Sequence, residues 1–342
     1  MIRHNGLHRE RAKRPTLEAV AARAGVSRST VSRVINGEST VSDEFRAIVM
    51  HAVNELGYVP NSAARSLVTR RTDSVALVVS GSPAEGRSDD PLFSATVRSA
   101  TRELEESGKR VTLMLADSAA GRLRVERYAA SGHVDGVLLV SARGTDPLPA
   151  ALARTGVPVV SLGRPSVATP ASYTDVDDAG GAASAVGHLL ATGRRRIAAI
   201  AGPPDAVAAQ ERLRGYREAL RDTGYRSIIA VGDLTLASGA EAMRQLLRDD
   251  PELDAVFATG DLMAIGALRV LNESGRRVPK DVAVVGFDDI EGASYAVPAL
   301  TTVRAPREEQ ARAAVRLLLR QIDGGPASST ILPTELVVRE ST

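Results

Sequence analysis

The 342-residue chain contains no cysteine, which excludes a disulfide framework, a thiolate-bound iron–sulfur cluster and a thiol nucleophile. Long apolar runs are also missing. Stretches such as Val75 to Val79 fall far short of the ~20 residues needed to cross a bilayer. The N-terminal MIRHNGLHRERAKRP is basic, and no uninterrupted apolar stretch follows it, so it does not read as a signal peptide. These features lead to the expectation of a cytoplasmic protein without a membrane partner. Motifs of catalysis are wanting as well. No G-x-S-x-G elbow occurs, and Gly180-Gly181-Ala182-Ala183 lacks both the Lys and Ser/Thr of a phosphate loop and the spacing of a dinucleotide fingerprint. His188 stands beside Leu189 and Leu190 with no second His or carboxylate cluster at ligand spacing, so it reads as a packed, hydrogen-bonded histidine. The expectation is a non-enzyme that needs no metal or cofactor.

What is present is ordinary in bulk, with 44% hydrophobic and 25% charged residues, as expected of a globular chain long enough for about two domains. The net charge of +2 conceals an asymmetry. Residues 1–71 hold 12 Lys+Arg against 6 Asp+Glu, a charge of +6; residues 72–342 hold 31 against 35, a charge of −4. A basic head on an acidic body means that the head alone is suited to a polyanion, either nucleic acid or an anionic membrane surface.

Within the head, Thr16 to Ile35 reads as two short helices around a tight turn. Thr16 is placed as an N-cap, Leu17, Val20, Ala21 and Ala24 recur at helical spacing, Gly25 suits the turn and Ser27 caps the second helix. At about 100° per residue from Arg28, the side chains of Arg28, Ser29, Ser32 and Arg33 fall at roughly 0°, 100°, 40° and 140°, opposite Val31, Val34 and Ile35. One face is apolar and the other carries donors. A third helix begins at Ser42, with Asp43 and Glu44 in its first turn, a stripe of Phe45, Ile48, Val49, Ala52, Val53 and Leu56, and Gly57 as its stop. Such a unit presents its second helix to a major groove, where Arg can bind guanine in bidentate fashion; the same arginines would otherwise form the solvated face of a small bundle. After Pro60, Asn61 to Leu67 allows one or two helical turns, too few to be stable alone. It is either an interdomain linker or a segment that orders on DNA, with Leu67 as an apolar wedge in the minor groove.

The segment AVAARAGVSRSTVSRVINGESTVSDEFRAIVMHAVNELGYVPNSAARSL resembles the DNA-binding head and hinge of the lactose-repressor/galactose-repressor family of transcription regulators. The resemblance implies DNA contacts at Thr16, Ser27, Arg28, Ser29, Thr30, Ser32, Arg33 and Asn36 in the head, and at Asn61, Ala64, Arg65 and Leu67 in the hinge. Arg28, Ser29 and Arg33 would read bases. The expected organisation is a basic arm over 1–14, a helix-turn-helix domain over 15–59, a hinge over 60–72 and an effector-binding body over 73–342.

In the body, short apolar runs alternate with helical lengths. Val75 to Ser80, Val111 to Leu115, Gly136 to Val140 and Val157 to Ser161 form one series of strands; Ile197 to Ala201, Ile228 to Val231, Ala255 to Ala258 and Val282 to Gly286 form a second. Helices are expected over Pro91 to Ser107, Asp178 to Thr192, Gln210 to Thr223 and Asp261 to Ser274, with a final strand over Ile331 to Val338. The pattern is that of two parallel sheets covered on both faces. The expected fold is thus an all-α helix-turn-helix head followed by an α/β, two-lobed body like that of periplasmic binding proteins.

Ligands of such sheets bind beyond the carboxyl ends of the strands, where Arg212, Asp261 and Asp288 fall. The body resembles the sugar-binding-like core of the same family, through segments such as Val134-Asp135-Gly136, Arg212 to Tyr216 and Val284 to Asp289. That resemblance implies effector contacts at Phe93, Arg212 and Asp288, with Asp261 in the same strand-end group. Gly163 and Gly260 stand where sugar-binding relatives often have Asp and Asn. The ligand is therefore a sugar, nucleoside or related metabolite that is larger than a simple hexose, or uses backbone donors at the glycines, or is absent. The expected whole is a homodimeric regulator of a near-palindromic operator, without a coiled-coil tetramerisation tail. The alternatives are a small-molecule-binding protein or enzyme whose basic N-terminus is incidental, and a regulator controlled by a protein partner.

Overall fold

The computed structural model describes residues 15–35, 40–59, 71–80, 91–141, 146–165 and 172–342. The chain divides into two compact units, residues 1–72 and 73–342.

The first unit holds three helices, α1 (Leu17–Ala24), α2 (Arg28–Ile35) and α3 (Asp43–Leu56). The Thr16 hydroxyl caps α1 by accepting from the Ala19 N–H at 3.3 Å. Gly25, at φ 65°, ends α1 in the left-handed region that glycine adopts without steric cost. The Ser27 hydroxyl accepts from the Thr30 N–H at 3.1 Å and so starts α2. Val20, Ala21, Val31, Val34, Val41, Val49, Ala52 and Tyr58 form the core of this unit. Phe45 and Ile48, expected in the buried stripe of α3, are 47% and 42% exposed, because the short α1 and α2 cover only the part of α3 around Val49 and Ala52.

The second unit contains two six-stranded sheets. The first is ordered β11-β5-β4-β3-β1-β2, from β1 (Ser74–Ser80), β2 (Arg110–Ala116), β3 (Gly136–Ser141), β4 (Val159–Leu162), β5 (Ser172–Val176) and β11 (Ser329–Leu332). The second is ordered β12-β10-β9-β8-β6-β7, from β6 (Ile197–Ala201), β7 (Ile228–Val231), β8 (Ala255–Ala258), β9 (Ala283–Asp288), β10 (Thr301–Arg304) and β12 (Glu335–Val337). All pairings are parallel except β10 with β12. Burial on both faces accounts for the apolar runs: Val75 and Leu77 enter one core while Ala76 and Val78 enter the core on the opposite face.

The helices of the first lobe are α4 (Pro91–Glu106), α5 (Ala119–Ala130), α6 (Leu148–Ala153) and α12 (Arg307–Ile322); those of the second are α7 (Asp178–Ala191), α8 (Val207–Leu220), α9 (Leu236–Asp249), α10 (Asp261–Glu273) and α11 (Glu291–Tyr295). The chain passes between lobes three times, after β5, after β10 and between β11 and β12. The single final strand expected over Ile331 to Val338 is two short strands in different sheets. Pro333, which has no N–H to give a ladder, separates them. The polar strand Ser172–Val176 and the long helix Arg307–Ile322 are additions to the elements read from sequence.

Candidate nucleic-acid interface and ligand site

On α2 the inward residues are Val31 and Val34, and this fixes which side chains point away. Arg28, Ser29 and Arg33 are exposed, while Thr30 and Ser32 are half-buried. Ser27, Ser29 and Thr30 place three hydroxyls together at the helix start, with Ser27 Oγ 2.7 Å from Ser29 Oγ and 2.9 Å from Thr30 Oγ1. Arg28 makes an exposed ion pair to Glu18 of α1 at 3.2 Å, an interaction worth little in water and open to exchange for a phosphate or a base. Arg33 Nε donates to the Ser29 carbonyl at 3.4 Å, at the long end of hydrogen bonding. The face thus offers two guanidinium groups and several hydroxyls on a short rigid helix. Asn36, Asn61, Ala64, Arg65 and Leu67 lie outside the described residues.

In the body, a charge cluster forms where strands of both lobes end. Arg212 lies in the second turn of α8, rather than at its start as the sequence pattern indicated, and its side chain is 5% exposed. Its Nε donates to Asp178 Oδ1 at 2.7 Å, Nη1 to the Thr259 carbonyl at 2.7 Å, and Nη1 and Nη2 to Asp288 Oδ2 and Oδ1 at 3.2 and 3.0 Å. Its guanidinium also stacks 3.8 Å above the Phe287 ring. Gly215, one turn along, allows this approach: a Cβ there would lie 2.1 Å from the Ala179 carbonyl oxygen, so α8 could not come this close to α7. Burial opposes both charges, but Asp288 and Asp178 hold the Arg212 guanidinium above its ordinary pKa, and Arg212 with Arg307 holds the Asp288 carboxyl below its own.

Asp288 has φ 109° and Asp289 φ 55°, two successive non-glycine residues in a costly backbone region. Two pairs of arginines clamp this turn. Arg212 and Arg307 bind Asp288, while Arg304 Nε and Arg339 Nη2 donate to Asp289 at 2.8 and 2.6 Å. Strained backbone of this kind clusters at functional sites, and ligands of parallel sheets bind beyond the carboxyl ends of the strands. Asp175 lies near the end of β5; burial first, and then the Asp178 charge, raises its carboxyl.

Asp261, expected beside the ligand, is turned into the protein and 2% exposed. Its Oδ1 accepts from the Thr302 hydroxyl at 2.5 Å and its Oδ2 from the Ile290 N–H at 2.9 Å. Burial, reinforced by Asp288 and Asp289, pushes its carboxyl up to about 7 against those two hydrogen bonds. The side chain of Phe93 lies outside the described residues, although its backbone belongs to α4. Asp178 and Arg307 belong to the cluster and were not singled out by sequence; the available signal was their position just after β5 and β10, as it was for Asp289, which follows Asp288 at the end of β9. His188 is hydrogen-bonded, its Nε2 lying 2.9 Å from Thr342 Oγ1. Among the described residues no group of His and carboxylates can hold a metal, and no helix is long and apolar enough to cross a membrane.

A turn-joined helix pair that presents arginines, together with a two-lobed parallel body whose strand ends meet at a buried charge cluster, is the architecture of a DNA-binding regulator with a body like that of periplasmic binding proteins. Residues 16–61 match the bacterial regulatory proteins of the lacI family, and residues 186–342 match the periplasmic binding protein-like domain. The chain is 50% identical over 340 residues to the HTH-type transcriptional regulator CelR of Thermobifida fusca, covering 97% of this chain and 99% of that one. The solved CelR–cellobiose complex is similar at a TM-score of 0.75 and 48% identity, over 96% of this chain and 100% of that one. A lac repressor dimer bound to operator and the anti-inducer ONPF gives 0.83 and 32%, over 96% and 99%. The chain belongs to the LacI family of bacterial transcriptional regulators, and it is a DNA-binding regulator rather than an enzyme.

Proposed function

We propose that this chain is a cytoplasmic repressor that binds a near-palindromic operator as a homodimer and responds to a glucose disaccharide of the cellobiose type. Residues 15–59 read the operator, with Arg28, Ser29 and Arg33 at base edges and Thr16, Ser27, Thr30, Ser32 and Asn36 supporting them. Residues 60–72 act as the hinge, with Asn61, Ala64, Arg65 and Leu67 at the minor groove. Residues 73–342 hold the effector, with Arg212 and Asp288 as its polar anchors and Phe93 against a sugar ring; Asp261 supports the anchor turn from beneath.

The observation that carries this reading is the buried Arg212–Asp288 pair in a strained turn beyond the carboxyl end of β9. A guanidinium and a carboxylate set side by side suit neighbouring hydroxyls of a saccharide, one as donor and the other as acceptor. The choice of disaccharide is supported by the likeness to the CelR–cellobiose complex. Effector binding changes operator affinity only through unequal affinity for two states of the body.

The test is selection of bound DNA from a random pool by the full chain, followed by anisotropy titrations of the selected duplex with and without cellobiose. The expected result is a two-fold symmetric consensus and an affinity that cellobiose shifts while glucose does not. A consensus without symmetry would overturn the dimeric reading, and indifference to cellobiose the effector reading.

A further inference from the structure

The Asp288 carboxylate is held from both lobes. Arg212 reaches it from α8 of the second lobe, and Arg307 reaches it from the first residue of α12, a helix that packs on β3, β4 and β5 of the first lobe. Arg307 Nη2 donates to Asp288 Oδ1 at 2.9 Å. Its other terminal nitrogen is tied down within the first lobe, Nη1 donating to Gln310 Oε1 at 3.0 Å. Gln310 is 3% exposed and is itself locked to β5: its Nε2 donates to the Thr174 carbonyl at 2.9 Å, and the Thr174 hydroxyl donates back to the Gln310 carbonyl at 3.2 Å. A rigid path therefore runs from the core of the first lobe through Thr174, Gln310 and Arg307 to a carboxylate of the second.

The distribution of donors on Asp288 is uneven. Oδ1 accepts from both Arg212 and Arg307, whereas Oδ2 accepts from Arg212. A carboxylate has about four acceptor positions, so Oδ2 can still take a hydroxyl without displacing Arg307. Arg307 is also the most accessible of these three, with a side chain 19% exposed against 5% for Arg212 and 9% for Asp288.

We propose that Arg307 is an affinity-determining residue of the effector site that acts from the opposite lobe: it bridges the lobes through Asp288 Oδ1, leaving Oδ2 to a ligand hydroxyl. Ligand and bridge then share one carboxylate, and a hydroxyl bound at Oδ2 is held in a position fixed relative to both lobes. The identity of the ligand rests on the proposed effector reading; the bridge does not.

The absence of native cysteine makes the test clean, since engineered thiols at Ala153→Cys in the first lobe and Arg221→Cys in the second are then the only labelling sites. Spin-label distances in the full chain without ligand are compared for the parent, Arg307→Met and Arg307→Lys, and cellobiose titration by calorimetry follows on each. Arg307→Met is expected to broaden the interlobe distance distribution and to weaken cellobiose binding about thirtyfold, the low end of what loss of one partner of a buried charge pair does. Arg307→Lys, which keeps the charge, is expected to restore a narrow distribution and most of the affinity. Circular dichroism with cooperative unfolding shows that each variant is folded. A distance distribution unchanged in Arg307→Met overturns the bridge. If the parent binds no cellobiose, the effector reading fails, and the ligand-free distances alone still decide for or against the bridge.

Discussion

Arg212 donates to both oxygens of Asp288 while its Nε is bound to Asp178, so one guanidinium bridges two carboxylates that are each less than a tenth exposed, and Arg307 supplies the second positive charge. The three residues lie 34 and 76 positions apart in sequence. Their meeting is a consequence of the fold, in which the start of α7, the second turn of α8 and the end of β9 converge. Breaking a buried pair from one side leaves the remaining charge without compensation.

Arg212→Met should therefore cost the body about 3–5 kcal/mol of stability, a large share of the total for a domain of this kind. Arg212→Lys should recover little, because a single ammonium cannot reproduce the fork that spans Asp178, Thr259 and Asp288. Urea denaturation followed by circular dichroism measures both. A Lys variant as stable as the parent would show that net charge, and not the fork, holds the cluster.

Arg33→Ala should relax base preference while keeping most of the salt-dependent, nonspecific affinity, since Arg33 is exposed on the face opposite Val31 and Val34 and no described carboxylate pairs with it. Competition binding on single-base operator variants at two salt concentrations distinguishes the roles. Equal loss on every sequence, with a shallower salt slope, would make Arg33 a phosphate contact instead.

The fully buried strands were legible because burial on both faces leaves runs such as Val75 to Val79 and Ile197 to Ala201 with almost no polar residue. Ser172–Val176 was not, since Ser172, Thr174 and Asp175 are buried polar residues satisfied by distant groups: the Gln321 amide on Ser172, Gln310 on Thr174 and the Arg164 N–H on Asp175. Only the assembled fold supplies those partners. The same reasoning applies to the site. Arg212 and Asp288 carry local signals as charged residues near strand ends in recognisable segments, whereas the roles of Asp178 and Arg307 are defined by whom they meet. Asp261 had the local signal and lacks the exposure, because Thr302 and Ile290 take its oxygens.

Asp261 provides a pH test. Its folded-state pKa, about 7, lies above the ordinary aspartate value of 3.8, chiefly through burial. Between these two values the folded state keeps a proton that the unfolded chain gives up, so the contribution of Asp261 to stability is greatest at low pH and is lost as pH rises toward 7. Asp261→Asn removes the titration while keeping a carbonyl for the Ile290 N–H and an amide for the Thr302 hydroxyl. Melting temperatures of parent and variant should therefore differ more in the variant's favour at pH 8 than at pH 5. A difference independent of pH would mean that Asp261 titrates in its ordinary range.

The two glycines that interrupt the family pattern should answer differently to substitution. Gly163 has φ 91°, in the left-handed region, and its N–H donates to the Thr174 carbonyl at 2.8 Å just after β4. Gly163→Asp must hold an L side chain in that conformation, at a cost of roughly 1–2 kcal/mol before any contact is considered. Gly260 has φ −171°, extended backbone open to any residue, and a Cβ there would meet Leu234 Cδ2 at 3.3 Å, which a small side-chain shift relieves. Gly260→Asn should fold with nearly parental stability in urea titration and add an amide next to the Thr259 carbonyl that Arg212 binds. Its effect on cellobiose and glucose affinity then tests what the missing side chain did to ligand choice. Equal destabilisation by the two substitutions would show that the backbone angle at Gly163 is not what excludes the aspartate there.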